Sequence, residues 1–168
     1  MSDVSDFRKE KDALFGTTED SPLTAEQKNE FKGLKYLPED ERYHVKTKLE
    51  KGEGGEVANI KTSAGDTEVY KKYGKLKFNI ESNEFTLTVY QSVNSNHLFL
   101  PFRDKTNKRE TYHNGRYLEI EDEGEVVDLD FNYAYNPYCA YNNNFRCPIT
   151  PDENTLDVEI KAGEKRYH

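Results

Sequence analysis

Apolar and polar residues alternate with a period of two through the middle of the chain, between residues 43 and 131. The alternation is clear where Leu76, Phe78 and Ile80 are separated by single polar residues. A period of two is typical of β-strands that bury one face. Clusters of glycine, asparagine and acidic residues separate these segments and predict tight turns, among them turns at 52–55, at Gly74 and at 121–125.

The same alternation returns at 156–161, after a long segment at 132–155 that is rich in asparagine and tyrosine. Together the pattern predicts about nine strands in an all-β fold, an antiparallel meander that forms a barrel or a two-layer sandwich. A length of 168 residues favours one domain, 1–168. We divide it into an N-terminal helical segment (1–37), a β meander (43–131), a long loop (132–155) and a closing strand (156–161).

Two short helices are predicted in the N-terminal segment. Phe7, Leu14 and Phe15 fall on one face of a helix over residues 5–15. Thr24 and Gln27 have the spacing of a capping box, in which each side chain satisfies a backbone amide at the start of a helix.

Acidic residues outnumber basic residues, 32 to 24, which gives a net charge of −8. This charge argues against non-specific binding to nucleic acid or to anionic membranes. No apolar run approaches the roughly 20 residues that span a bilayer, and the first twenty residues lack the apolar core of a signal peptide. We therefore expect a cytoplasmic protein that binds neither nucleic acid nor membrane, and the sequence leaves its oligomeric state open.

The common catalytic and nucleotide-binding motifs are absent from the sequence. It contains no P-loop, no Gly-x-Gly-x-x-Gly after a strand, no Gly-x-Ser-x-Gly, no His-Glu-x-x-His and no EF-hand loop. We therefore expect no cofactor.

Three groups of residues together resemble a known family. They are residues 31–38; residues 101–104 with Thr111, Tyr112 and 115–117; and residues 132–137 with Cys139, Tyr141, 147–148, 153–154 and 162–164. In these residues the chain resembles the uncharacterised family catalogued as domain of unknown function 1684. His113 and Asn114 depart from the family pattern, where small residues are expected before Gly115. The resemblance implies kinship and supplies no catalytic residue.

The two cysteines, Cys139 and Cys147, allow four interpretations. Two small buried thiols that pack the long loop are the simplest. A disulfide would close a nine-residue loop and stabilise it by roughly 2.5 kcal/mol, although a reducing cytosol disfavours it. Cys139 is also a candidate nucleophile, activated by His113 or an arginine. A metal site is disfavoured because the histidines lack paired ligand spacings, and we expect none.

A ligand pocket is the best guess for function. Long loops inside a compact domain are often functional, and we expect the 132–148 loop and the 102–117 region to form a pocket for a small polar, anionic ligand. Arginines would anchor charge, tyrosines would stack or donate hydrogen bonds, and asparagines would fix orientation. The candidate ligand-binding residues are Arg103, Tyr112, Arg116, Asn132, Tyr135, Asn136 and Tyr141. The competing interpretation pairs Arg103 or Arg116 with an internal carboxylate: Asp104, Asp128 or Asp130.

Two other classes of function stay open. An enzyme could use Cys139 or Asp130 at the same pocket; Asp128 and Asp130 share one strand face, where paired carboxylates either do acid–base chemistry or are simply solvated. Alternatively the domain has no small-molecule site and serves protein association through an edge strand.

Overall fold

A computed structural model of the protein describes residues 3–52, 56–122, 124 and 126–168. The turn predicted at 52–55 lies outside the described residues apart from Gly52, and the turn at 121–125 is described only in part. Two helices come first, α1 (Asp3–Thr17) and α2 (Ala25–Glu30). Seven strands follow: β1 (His44–Lys51), β2 (Val57–Lys61), β3 (Thr67–Ile80), β4 (Asn83–Ser92), β5 (Leu98–Phe102), β6 (Arg116–Ile120) and β7 (Val126–Asp130).

The described strands form one antiparallel sheet that curls into a half-barrel. Its order is β6-β5-β4-β3-β1-β7, and β2 pairs with the first half of β3. The long hairpin of β3 and β4 is the spine of the sheet, with Leu76 opposite Leu87 and Phe78 opposite Phe85. The fold is therefore mostly β with few helices, as the alternation of residues predicted, and the sheet curls without closing into a full barrel.

The described chain has seven strands where about nine were predicted, and one reason is Gly74. The sequence predicted a turn there, but β3 runs through it, with a bulge between Lys72 and Gly74. A Cβ on this glycine would lie 2.6 Å from the carbonyl oxygen of Glu50 on the neighbouring strand. Glycine is needed here because the backbones of two neighbouring strands approach each other closely, and it does not form a turn.

The strand count also differs because residues 156–161 do not form the predicted closing strand, so that prediction is wrong. Leu156 and Ile160 are buried and Asp157 is exposed, so the alternation of side chains is present. However, the backbone there pairs with loops and side chains instead of a strand ladder. The amide of Ile160 donates to Asp104 (2.6 Å), and its carbonyl accepts from Arg116 (3.1 Å).

The main core lies on the apolar face of the curled sheet. Side chains of β3 to β7 pack there against Phe131, Leu156 and Ile160, all 2% exposed or less. The N-terminal segment has its own apolar cluster, in which Phe15 and Leu23 pack against Tyr141 of the long loop. The capping box at the start of α2 is confirmed, since Thr24 and Gln27 exchange hydrogen bonds of 2.9 and 3.1 Å. No helix in the described part of the chain is long and apolar enough to cross a membrane.

The long loop at 132–155 is largely irregular. Short 3₁₀ helices occur at Phe131–Tyr133, Tyr138–Ala140 and Asp152–Asn154. Tyr135 forms an isolated bridge with Tyr117 of β6, so this part of the loop covers the outer edge of the sheet.

Candidate functional site

The two arginines that the sequence proposed as ligand anchors bind internal partners. Arg116 is fully buried, and its guanidinium donates to the carboxylate of Asp104 (3.4 Å) and to the carbonyls of Ile160 and Ala162. Arg103 lies 3.2 Å from Asp152 at the surface. A cavity lies where the 102–117 region meets the long loop, and neither arginine lines it. The competing interpretation, an internal ion pair, is the one that the structure shows for Arg116.

Three further candidates have structural partners inside the protein. Asn132 donates to the carbonyl of Asp40 (3.0 Å) and to the carboxylate of Asp130 (2.8 Å). The backbone amide of Asn136 and the hydroxyl of Tyr141 both donate to the carboxylate of Glu164, which is fully buried. The side-chain amide of Asn136 donates to the carbonyl of Lys165 (3.0 Å). These side chains hold the long loop to the rest of the chain.

Tyr135 and Asn136 line an apolar groove of about 600 Å³ between α1 and the long loop. Aromatic residues make up much of its wall, together with Cys147. The hydroxyl of Tyr135 donates to Glu119 (2.5 Å), and burial is the main reason that its pKa is raised. The groove is open, and the candidate residues that it holds are already hydrogen-bonded.

A larger cavity, about 920 Å³, lies between β6, β7 and the start of α1. Most of the charged residues that line it are acidic. Asp130 lines it, but its carboxylate accepts from the backbone amide of Asn132 (3.0 Å) and so caps a 3₁₀ helix. His44 pairs with Asp128 (2.9 Å) in the same cavity. Among the described residues, no group of three or more His, Cys, Asp or Glu could hold a metal ion. Asp128 and Asp130, the carboxylates proposed from the sequence for acid–base chemistry, are therefore both bound to partners within the protein.

The third cavity, about 480 Å³, lies where the 102–117 region meets the long loop. Its walls come from three parts of the chain: Lys108, Thr111, Tyr112 and His113; Cys139, Ala140 and Asn143; and Arg166, Tyr167 and His168. Tyr112 and Cys139, two residues proposed from the sequence, meet here. We call this space the basic cavity.

Basic side chains dominate the basic cavity. Lys108, His113, Arg166 and His168 line it, and none of its described lining residues is acidic. None of these four forms an ion pair with a carboxylate in the described part of the chain, in contrast to Arg103 and Arg116. Arg166 donates to the backbone carbonyl of Lys108 (2.7 Å), so its guanidinium is fixed against the turn that carries Lys108.

The backbone at Lys108 is held in an unusual conformation. Its φ is 78°, in the left-handed region that residues other than glycine rarely adopt. The amide of Lys108 donates to the carbonyl of Thr111 (3.0 Å), and the buried hydroxyls of Thr106 and Thr111 lie 2.9 Å apart beneath it. The turn that carries Lys108 and His113 is therefore tied down from inside.

Three ionisable groups of this cavity have shifted pKa values: burial raises those of Tyr112 and Tyr167, and that of Cys139 is lowered. Sγ of Cys139 lies 3.6 Å from the hydroxyl oxygen of Tyr112, and the backbone amide of Cys139 donates to Sγ of Cys147 (3.3 Å). The hydrogen bond from Cys147 is the main reason that the pKa of Cys139 falls to about 6, and burial opposes it. The partner thiol has a raised pKa, because it donates to Cys139 and is itself buried. Both cysteines are free thiols.

Four basic residues of the cavity were missed from the sequence. Lys108 lies in a polar loop and Arg166 and His168 in a charged tail, where basic residues usually mark solvated surface. The sequence indicates His113 only as a group that activates Cys139 as a nucleophile. One signal was present: His113 is where the chain departs from the family pattern.

Comparison with solved structures supports the fold. The solution NMR structure of an uncharacterised protein from Haloarcula marismortui is similar to this chain, with 35% sequence identity and a TM-score of 0.75. The likeness covers 96% of this chain and 91% of the other. No curated protein matches the chain.

A family model described as a protein of unknown function, DUF1684, matches residues 29–165. The matched range contains every strand of the half-barrel, the whole long loop and all but the last part of the basic cavity. The chain belongs to the DUF1684 family.

Proposed function

We propose that the protein is a binding module for a small anion, a metabolite that carries phosphate or carboxylate groups, and that the basic cavity is its binding site. The observation that carries this proposal is the set of four unpaired basic residues around one cavity of a protein whose net charge is −8. Lys105 and Arg109 of the same loop each have a carboxylate partner, whereas Lys108 and Arg166 have none in the described part of the chain. A cluster without one has charge available for a ligand.

The size and chemistry of the cavity suit such a ligand. A volume of about 480 Å³ falls within the range of small-molecule sites, roughly 300–1,000 Å³. Arg166 can present the remaining N–H groups of its guanidinium to two oxygens at once, which is the geometry that carboxylate and phosphate favour. Lys108 supplies a second, point-like charge beside it.

Neutral polar groups complete the wall. Tyr112 and Asn143 lie on opposite sides of the cavity, one from the 102–117 region and one from the long loop. They offer hydrogen bonds without charge, so they would orient a ligand that the basic residues attract. The proposal keeps the location and ligand class predicted from the sequence and replaces the two arginines that would anchor it.

Calorimetric titration with inorganic pyrophosphate and citrate, at low ionic strength, tests the proposal. We expect Lys108→Gln and Arg166→Gln each to weaken binding about tenfold, which corresponds to about 1.4 kcal/mol. Raising the salt concentration to about 0.5 M should also weaken binding, because mobile ions screen exposed charges.

Two matched variants control for loss of charge alone. Lys105→Gln and Arg109→Gln each remove one cation from the same loop, but both residues lie outside the cavity and pair with Asp157 and Glu159. They should bind pyrophosphate like the unmodified chain. Equal weakening in all four variants, or no binding of either anion, would contradict the proposal.

A further inference from the structure

Cys139 and Cys147 form a preorganised pair with different access to solvent. The backbone amide of Cys139 donates to Sγ of Cys147 over 3.3 Å, so the sulfur of Cys147 lies directly beside Cys139. Cys139 lines the basic cavity, whereas Cys147 is 7% exposed and does not. A reagent in the cavity therefore meets Cys139 first, and Cys147 lies behind it.

Contacts of the backbone fix each cysteine. Cys139 lies in the 3₁₀ helix Tyr138–Ala140, next to Tyr112. Cys147 is held by Ser63, whose hydroxyl accepts from the amide of Cys147 (3.0 Å) and whose amide donates to its carbonyl (2.9 Å). The 3₁₀ helix holds Cys139 and the contact with Ser63 holds Cys147, so two separate parts of the fold place the two thiols beside each other.

We propose that Cys139 and Cys147 are a redox-active dithiol, in which Cys139 attacks a small anionic disulfide bound in the basic cavity and Cys147 resolves the product. The location of the pair follows from the contacts above. The preference for an anionic disulfide rests on the proposed function, since it uses the same basic residues.

The reaction proceeds in two exchanges. The Cys139 thiolate attacks one sulfur of the disulfide RS–SR, a Cys139–S–SR bond forms, and the first RS⁻ leaves. Cys147 then loses its proton to solvent or to RS⁻, attacks Sγ of Cys139 and expels the second RS⁻. The two cysteines lose two electrons and two protons, and the small disulfide gains them as two thiols.

The structure supports each step. Attack requires a thiolate at neutral pH, and the pKa of Cys139 is lowered to about 6 by its hydrogen bond from Cys147. The leaving thiolate departs into a cavity lined by Lys108 and Arg166. Resolution requires a second sulfur next to the first residue, and Sγ of Cys147 lies 3.3 Å from the backbone nitrogen of Cys139.

Glutathione disulfide is the test reagent, because it carries carboxylates, and cystamine is its cationic counterpart. The reduced protein is incubated with each reagent, quenched with an alkylating agent and mapped by mass spectrometry. We expect an intramolecular Cys139–Cys147 crosslink in the unmodified chain. In Cys147→Ser the glutathione mixed disulfide should accumulate at Cys139, and in Cys139→Ser the rate of thiolation should fall at least tenfold.

The charge preference is measured separately. We expect glutathione disulfide to react faster than cystamine, and Lys108→Gln to reduce that ratio at least threefold, with Lys105→Gln as the control outside the cavity. The crosslink in the unmodified chain depends on no variant, so a serine variant that folds poorly leaves the test intact.

The two proposals fail in different ways. If pyrophosphate binds but no crosslink forms in an oxidising glutathione buffer, the redox pair is wrong and the anion site stands. If the crosslink forms equally fast from both disulfides in every lysine variant, the dithiol stands and its preference for anionic disulfides is wrong. Modification of Cys147 before Cys139 would overturn the assigned order of attack.

Discussion

Asp104 and Arg116 form an ion pair in the interior, with Nη2 of Arg116 3.4 Å from Oδ2 of Asp104 and both side chains fully excluded from solvent. The other groups around them complete the network: Thr106 and the amide of Ile160 donate to Asp104, and carbonyls of the 160–164 segment accept from Arg116. The pair therefore fastens the irregular 156–164 segment to the end of β6.

Breaking this pair from one side should be costly. Arg116→Met leaves a buried carboxylate without its cation and three carbonyls without a donor, and we expect a loss of about 3–5 kcal/mol in the free energy of unfolding. Asp104→Asn leaves the guanidinium uncompensated and should cost a similar amount. The double variant should lose less than the sum of the two, because the partners are coupled.

Urea unfolding followed by circular dichroism measures these losses. Lys105→Gln removes an exposed charge from the same loop and should change the free energy of unfolding by less than about 0.5 kcal/mol. Strictly additive losses in the double variant would show that the two residues do not act as a pair.

The sequence predicts the local features of this fold well, because they depend on neighbouring residues. Thr24 and Gln27 are three positions apart and form the capping box that their spacing indicates. The alternation at Leu76 and Phe78 likewise predicts which side chains are buried. Such signals need no knowledge of the rest of the chain.

Distant contacts explain where the sequence prediction was wrong. Gly74 faces Glu50, 24 positions earlier, so the same residue that signals a turn instead permits a bulge within one long strand. At 156–161 the alternation was correct for the side chains, but Arg116 and Asp104 take up backbone groups that a strand would need. Nothing local to 156–161 reveals those partners.

In the candidate site, too, some residues could be predicted from the sequence and others could not. Cys139 was proposed from the long loop of unusual composition and Tyr112 from the 102–117 region, and both line the basic cavity. Lys108 and Arg166 are 58 positions apart and join only because the chain folds back on itself. A lone basic residue in a polar segment gives no sign of which cavity it borders, so these two were not predictable.

Glu164 should be the most sensitive acidic residue of the tail. It is fully buried and accepts hydrogen bonds from Lys11 (2.8 Å), from the amide of Asn136 (3.0 Å) and from the hydroxyl of Tyr141. Glu164→Gln removes the charge that these donors share, and we expect a loss of about 2–3 kcal/mol in the free energy of unfolding. Thermal and urea unfolding measure it.

Glu159→Gln is the matched control for Glu164. Glu159 lies near the surface and pairs with Arg109 and Lys161, so its loss should cost less than about 1 kcal/mol. Similar losses in the two variants would mean that the network around Glu164 contributes little to stability.

Gly115 and Gly65 separate two effects of adding a methyl group. Both have a positive φ, 95° and 91°, so alanine is strained at either position. At Gly115 the new Cβ would also lie 2.3 Å from the carbonyl oxygen of Phe102, whereas at Gly65 no atom of the surroundings lies within 4 Å. Gly115→Ala should therefore destabilise the protein by about 1–3 kcal/mol more than Gly65→Ala, the usual cost of overpacking. Urea midpoints of the two variants give the difference, and equal midpoints would show that the backbone at Gly115 yields without cost.

The reactivity of Cys139 should depend on pH in a way that reports its partner. Because the pKa of Cys139 is lowered to about 6 by the hydrogen bond from Cys147, the thiolate fraction grows as the pH rises through that value and is nearly complete at pH 8. Alkylation by iodoacetamide should therefore reach half its maximal rate near pH 6. Cys147→Ala removes this donor, and the midpoint should move toward the ordinary thiol value of about 8.5. Tyr112→Phe removes the second donor and should move the midpoint in the same direction by a smaller amount. A midpoint near 8.5 in the unmodified chain, unchanged in Cys147→Ala, would show that the two sulfurs do not interact and that Cys139 is an ordinary thiol.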